Sequence, residues 1–170
     1  MKKVIKELIP YIIIVIVVVL FRTFIATPVV VDGPSMDPTL KNGELLILEK
    51  VDKKYHRMDI VIVKTMIDGS KERLVKRIIG LPGEYIEYKH DKLYVNGKPV
   101  KDKFASDTER FSIKELYHKK KIPEGYYFVM GDNRGVSLDS RDKRVGFIKK
   151  EEIVGKAVFR IFPFNKIGGI

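Results

Sequence analysis

The chain has 170 residues, 45% of them apolar, and 33 Lys and Arg against 22 Asp and Glu give a net charge of +11. That suits one folded domain with a real core and a small elaboration, and excludes a disordered chain. No cysteine is present, which excludes a disulfide framework, a thiol nucleophile and a Cys-based metal site.

The first element in the chain is an apolar run from Leu8 to Ala26, "LIPYIIIVIVVVLFRTFIA", 19 residues long. It approaches the roughly 20 residues that cross a hydrocarbon core. Pro10 lies near its start, where a helix tolerates it, and Arg22 near its end, where it can snorkel. Lys2, Lys3 and Lys6 precede it, so the N-terminus is expected to stay cytoplasmic and the rest to lie outside. A removable signal peptide is the competing reading. The run is longer than such an h-region, and no Ala-x-Ala-like site follows it. The expected organisation is a cytoplasmic end over 1–7, a single-pass transmembrane anchor over 8–26 and an extracytoplasmic domain over 27–170.

Beyond Thr27 the pattern is strand-like. "TPVVVD", "ELLILEK", "DIVIVK", "RLVKRII", "EYIEYK" and "KLYV" are short runs rich in β-branched, aliphatic or aromatic residues, bounded by turn formers. Asn96-Gly97 predicts a two-residue hairpin. "EGYYFVMGD" and "GKAVFRIF" predict later strands, whereas helical periodicity is confined to "FSIKELYHKK" and a turn at "KKEEIV". The segment 98–121 is polar and reads as an irregular insertion. The expected fold class is mainly β, an antiparallel sheet with a small insertion behind one N-terminal helix.

Basic residues gather as Lys53-Lys54, Lys119-Lys120-Lys121 and Lys149-Lys150, without interleaved aromatics. That is a poor footprint for nucleic acid, which is not expected as a partner. Anionic headgroups beside a bilayer suit it better.

Three places carry chemistry. In "DGPSMDPTL" two prolines bracket Ser35, and each stiffens the backbone on its N-terminal side. Taken alone, such a serine is a turn residue. It fits neither the Gly-x-Ser-x-Gly elbow nor a Ser-x-x-Lys box. His56, His90 and His118 sit in polar, turn-like settings, which disfavours a Ser-His-Asp triad and a two-histidine metal site. Lys76, in "RLVKRIIG", shares a strand face with Leu74 and Ile78. Such a lysine either snorkels off a sheet edge or loses its hydration and becomes a neutral base. Lastly, "GDNRGVSLDSR" packs charges of both signs into eleven residues just after an apolar strand. It reads as a solvated turn or as a hydrogen-bonded scaffold.

"SMDPTL", "MDIVIVK", "KRIIGLPGE" and "GDNRGVSLDSR", in that order behind one apolar segment, resemble the bacterial type I signal peptidases, the leader peptidases with a serine–lysine dyad. The likeness runs from the apolar segment to "GKAVFRIFPF". Met58 departs from it, standing where a glycine is usual, and so does Glu84, where aspartate is common. The resemblance implies a membrane-anchored serine endopeptidase acting on signal-peptide-bearing precursors, cutting after small residues of the Ala-x-Ala type, with no cofactor and no metal. It makes Ser35 the nucleophile and Lys76 its general base. Ser137 would orient the lysine amine, Asp139 and Arg141 would form a supporting ion pair, and Asp132 and Asn133 would shape the turn. Gly33 stands where some relatives carry a serine that serves the oxyanion hole, which points to the Gram-positive branch. Val31, Met36, Leu40 and Val75 are expected to line the substrate pockets. Self-cleaving repressor proteases share the dyad but need no anchor. A tethered β module that binds exported peptides is the non-enzymatic alternative.

Overall fold

A computed structural model of the protein describes residues 2–170, with side chains from residue 7 onward except at positions 21 and 24. The side chains of Lys2, Lys3 and Lys6, on which the cytoplasmic orientation rests, lie outside that description. Helix α1 covers Lys2–Leu20 with Pro10 inside it, and Phe21–Ile25 continues as a π-helical turn. Among the described residues no helix is long and apolar enough to cross a membrane. The α-helix stops short of Ala26, which already belongs to the first strand. The end of the helical segment is fastened to the domain behind it: Thr27 Oγ1 donates to the Arg22 carbonyl at 2.6 Å, and Lys50 Nζ to the Arg22 and Thr23 carbonyls.

Twelve strands follow among the described residues: β1 Ala26–Val30, β2 Leu45–Glu49, β3 Ile60–Ile67, β4 Ser70–Gly80, β5 Ile86–Lys89, β6 Lys92–Val95, β7 Lys98–Val100, β8 Phe111–Ser112, β9 Tyr126–Met130, β10 Ile148–Lys149, β11 Ile153–Phe162 and β12 Gly168–Gly169. The pairing is antiparallel throughout. The larger sheet runs β1-β2-β11-β3-β4-β9-β10, with β12 beside β11. Strand β3 sits mid-sheet, and its first four residues, Ile60–Val63, are buried on both faces. That is why "IVIV" reads as an unbroken apolar run rather than an alternating one.

A smaller sheet, β7-β6-β5-β8, lies against it. The segment 98–121 is more ordered than its polar sequence suggests. It contributes β7, β8 and a five-residue helix α2, Ile113–Tyr117, and pairs with β5 and β6 from outside the segment. Its few apolar residues carry this order, because Ala105, Phe111 and Ile113 join Ile86, Tyr88, Leu93 and Phe128 in one buried cluster. The Asn96-Gly97 turn links β6 to β7 with both residues at positive φ, 49° and 80°. Such turns match the twist of the strands they join.

Met58 also takes a left-handed backbone, φ 72°. The position suits a glycine for that reason. Its backbone is held on both sides, its N–H donating to the Ile78 carbonyl and its carbonyl accepting from Arg77.

Candidate active site

Ser35 lies in a loop from Val31 to Glu44 whose base is closed by two bonds of 2.9 Å, Val31 N–H to the Glu44 carbonyl and Gly43 N–H to the Val31 carbonyl. Met36 and Leu40, one turn apart, are fully buried beneath the loop with Leu46, Leu48, Ile60 and Ala157. Their burial turns the intervening polar residues outward and presents Ser35 half-exposed. Gly33 has φ +84°, where a side chain is strained, and its N–H donates to Asn42 Oδ1 at 3.0 Å. It therefore offers an incoming carbonyl neither a hydroxyl nor, in this structure, a free N–H.

Lys76 stands on β4 directly opposite Val61 of β3. Its strand neighbours on that face, Leu74 and Ile78, pack with Val61, Val63 and Val129. The lysine is only 2% exposed, and its Nζ lies 2.7 Å from Ser35 Oγ. Burial pushes the amine down from its usual range to about 8, with Arg141 adding to the fall and Asp139 and Asp132 opposing it. Neither carboxylate neutralises it by contact, because each is occupied elsewhere.

Those two aspartates belong to the segment after β9. Asp132 is gripped at 2.7 and 2.6 Å by Arg77, the residue after Lys76. Asp139 accepts from both Nε and NH2 of Arg141 at 2.9 Å and from the Gly131 N–H at 3.0 Å. Ser140 closes the segment back onto Val129 by two bonds of 3.0 Å. Asn133 then reaches over to the serine loop, its N–H donating to the Ser35 carbonyl at 3.1 Å and its Nδ2 to the Pro34 carbonyl. The scaffold reading of "GDNRGVSLDSR" prevails over the solvated turn.

The hydroxyl of Ser137 is buried and has no hydrogen-bond partner among the described residues. It is near enough to the serine loop that a β-carbon placed on Gly131 would overlap both Ser137 Oγ and the Ser35 carbonyl oxygen. The lysine amine therefore meets Ser35 here, and the expected Ser137–Lys76 bond is not among the contacts of the described residues. Gly131 and Arg77 belong to this corner, and sequence reasoning passed over both. A glycine closing an apolar strand is an ordinary turn signal, and the partner of Arg77 lies 55 residues away. His56, His90 and His118 are all exposed.

The chain matches the family described as signal peptidase, peptidase S26, over residues 2–162. It belongs to that family. Signal peptidase I of Bacillus licheniformis is 43% identical over 167 residues, covering 92% of this chain and 87% of the relative. Signal peptidase IB of Staphylococcus aureus is 39% identical over 179 residues, covering 95% and 93%. A crystal structure of a signal peptidase I from Enterococcus faecalis V583 superposes with a TM-score of 0.54 at 35% identity, over 61% of this chain and 96% of that one. This signal peptidase is thus a serine peptidase, a hydrolase that removes signal peptides from the precursors that carry them.

A groove of about 540 Å³ is walled by Thr27, Val29, Val30, Asp32, Arg73 and Val75 among others, the last of these being the chain neighbour of Lys76. Of the four expected pocket residues, Val75 lines it. Val31, Met36 and Leu40 do not: they are 2%, 0% and 0% exposed and belong to the core. Val31 follows the end of β1 and packs in the same buried cluster as the loop's own apolar residues. Met36 and Leu40 are buried because they are the apolar anchor of the serine loop.

Proposed function

We propose that this signal peptidase cleaves by a serine–lysine dyad, Ser35 as nucleophile and Lys76 as general base, at the outer face of a membrane in which its N-terminal segment is anchored. The observation that carries the dyad is the 2.7 Å approach of Lys76 Nζ to Ser35 Oγ by a lysine with almost no contact with solvent. A neutral amine at that distance accepts the hydroxyl proton as Oγ attacks the scissile carbonyl. The resulting ammonium protonates the leaving amine as the C–N bond breaks. Neutral again, Lys76 then takes a proton from water, whose oxygen attacks the acyl ester, and returns that proton to Ser35 Oγ as the ester bond breaks. The Ser35 N–H would receive the oxyanion.

Two sheet edges favour an extended substrate. Strand β1 ends the larger sheet, and β4 pairs with β9 only from Arg77 onward, leaving Ser70–Lys76 unpaired on that side. The groove lies between those edges, so a peptide can add there as a strand and deliver its carbonyl to Ser35. Half-buried Val75 limits the width next to the dyad, in keeping with small side chains before the cut.

Anchoring in lipid rests on the surface of the helical segment. Leu8, Ile9 and Tyr11 through Leu20 are 45–66% exposed, a continuous apolar surface that nothing in the domain covers. Lipid would cover it, with the π-helical turn and Arg22 at the interface. Ser35 follows Ala26 by nine residues, at most about 30 Å of extended chain. The nucleophile is thereby leashed to the bilayer, which is reason enough to stiffen its loop.

The test is to incubate a signal-peptide-bearing precursor with the native and Lys76→Ala proteins and to sequence the new N-terminus. The native chain should cut after a small residue and the variant should not. Comparable cleavage by Lys76→Ala would refute the dyad.

A further inference from the structure

From outside, the Val31–Glu44 loop receives side-chain contacts at two ends. Lys76 and Asn133 reach it at Ser35 and Pro34. At the far end Arg160 of β11 donates from NH2 to the Thr39 carbonyl at 2.9 Å. The same guanidinium lies 3.1 Å, Nε to Oε2, from Glu44, which is 3% exposed, while Lys166 Nζ approaches the other oxygen at 3.6 Å. Glu44 closes the loop through its own carbonyl, and Thr39 belongs to the single turn in which the Leu40 N–H donates to the Met36 carbonyl.

We infer that Arg160 is a positioning residue for the nucleophile, fixing Ser35 through the Thr39 carbonyl and the buried Glu44 carboxylate; this rests on the serine–lysine reading above. Three physical points carry it. A carboxylate as buried as Glu44 needs a cation, and Arg160 supplies it from a backbone already paired to Leu46 of β2 and Gly168 of β12. The apolar support beneath the loop, Met36 and Leu40 against Ala157, is non-directional and would let the turn slide. A guanidinium that bonds a carbonyl while its charge is held by a carboxylate is directional and stops that slide. Between Thr39 and Ser35 stands one rigid turn, so a shift at its far end is delivered to Oγ. The distance between Oγ and Lys76 Nζ is the quantity catalysis depends on.

The experiment uses the full chain in detergent with an Ala-x-Ala peptide, comparing Arg160→Met, Arg160→Lys and the double variant Glu44→Gln/Arg160→Met. Arg160→Met should lower kcat about tenfold or more and leave KM within about twofold, because misplacement of a reacting group acts on the transition state. Its pH midpoint should match that of the native protein, since Lys76 keeps its surroundings. It should also lose stability, leaving the buried Glu44 with Lys166 at 3.6 Å as its remaining cation. The double variant removes that under-compensated charge, so its melting temperature should recover while its kcat stays low. Arg160→Lys, which can still donate to the Thr39 carbonyl, should recover part of the rate. Recovery of kcat together with melting temperature in the double variant would reduce Arg160 to a stabiliser, and native kcat in Arg160→Met would overturn the inference outright. Turnover by Ser35→Ala would instead fell the dyad reading, and this inference with it.

Discussion

Two cations are buried among the described residues, and they are treated in opposite ways. Arg134, in the segment that carries Ser137, is 0% exposed in its side chain and sits 2.8 Å from Asp102, itself 1% exposed, with Tyr88, Thr108 and the Phe104 carbonyl accepting from its Nη1. Burial alone would push the guanidinium down, but Tyr88 and Asp102 outweigh it and its affinity for the proton rises. Lys76 is as dry, yet its nearest partner is a hydroxyl, and its affinity for the proton falls to about 8. The same burial becomes structural support when a carboxylate answers the charge and a basic site when none does. The two corners are joined, because Arg134 Nε donates to the Gly131 carbonyl and its own carbonyl accepts from Arg141. The paired cation thus holds the frame in which the unpaired one works.

That contrast can be broken experimentally. The largest effect is expected from Lys76→Arg, which keeps the charge and the length but stays protonated at any working pH. Its kcat/KM should fall by about 10⁴-fold or more, whereas in the native protein kcat/KM should rise with pH through a midpoint near 8. Gly131→Ala comes next. Its methyl group would overlap Ser137 and the Ser35 carbonyl, so Ser35 must shift, and about 10²-fold should be lost from kcat with the protein still folded by circular dichroism.

Arg134→Met tests the other corner. It strands Asp102 and should cost about 3–5 kcal/mol in denaturant unfolding, with the pH midpoint of the remaining activity unmoved. A shifted midpoint would mean that the two corners are not separable. The smallest effect runs in the opposite direction. A lysine whose folded-state affinity for protons is depressed binds fewer protons folded than unfolded between about pH 8 and its ordinary value of 10.5. Stability therefore rises with pH across that window, and below it the buried lysine costs roughly 3 kcal/mol. Lys76→Met should remove that cost, giving an inactive protein that melts higher than the native one at pH 7 and loses its advantage by pH 10.

Much of this was legible in the residues. The period of two in "RLVKRII" put Lys76 between Leu74 and Ile78, and the Asn96-Gly97 pair announced a hairpin. The four motif blocks named the family before any geometry was known. Other things were hidden because their causes are distant in the chain. Arg77 and Asp132 are 55 residues apart. Met36 and Leu40 looked like pocket residues because they flank the serine, but the loop folds over them. The order in 98–121 was masked by its polarity, since its sheet borrows its core from β5, β6 and β9.

By itself, then, the amino-acid sequence determined the mainly antiparallel β architecture, the family and the residue types from which chemistry could be built. Those follow from local periodicity, turn chemistry and motif spacing. Only the tertiary structure decided how closely the Ser35 hydroxyl meets the Lys76 amine, that Asp132 is tied to Arg77 rather than to Lys76, and that an arginine at position 160 grips the serine loop. Such outcomes depend on the dryness of a site and on who stands within a few ångströms, and neither is a property of a stretch of chain.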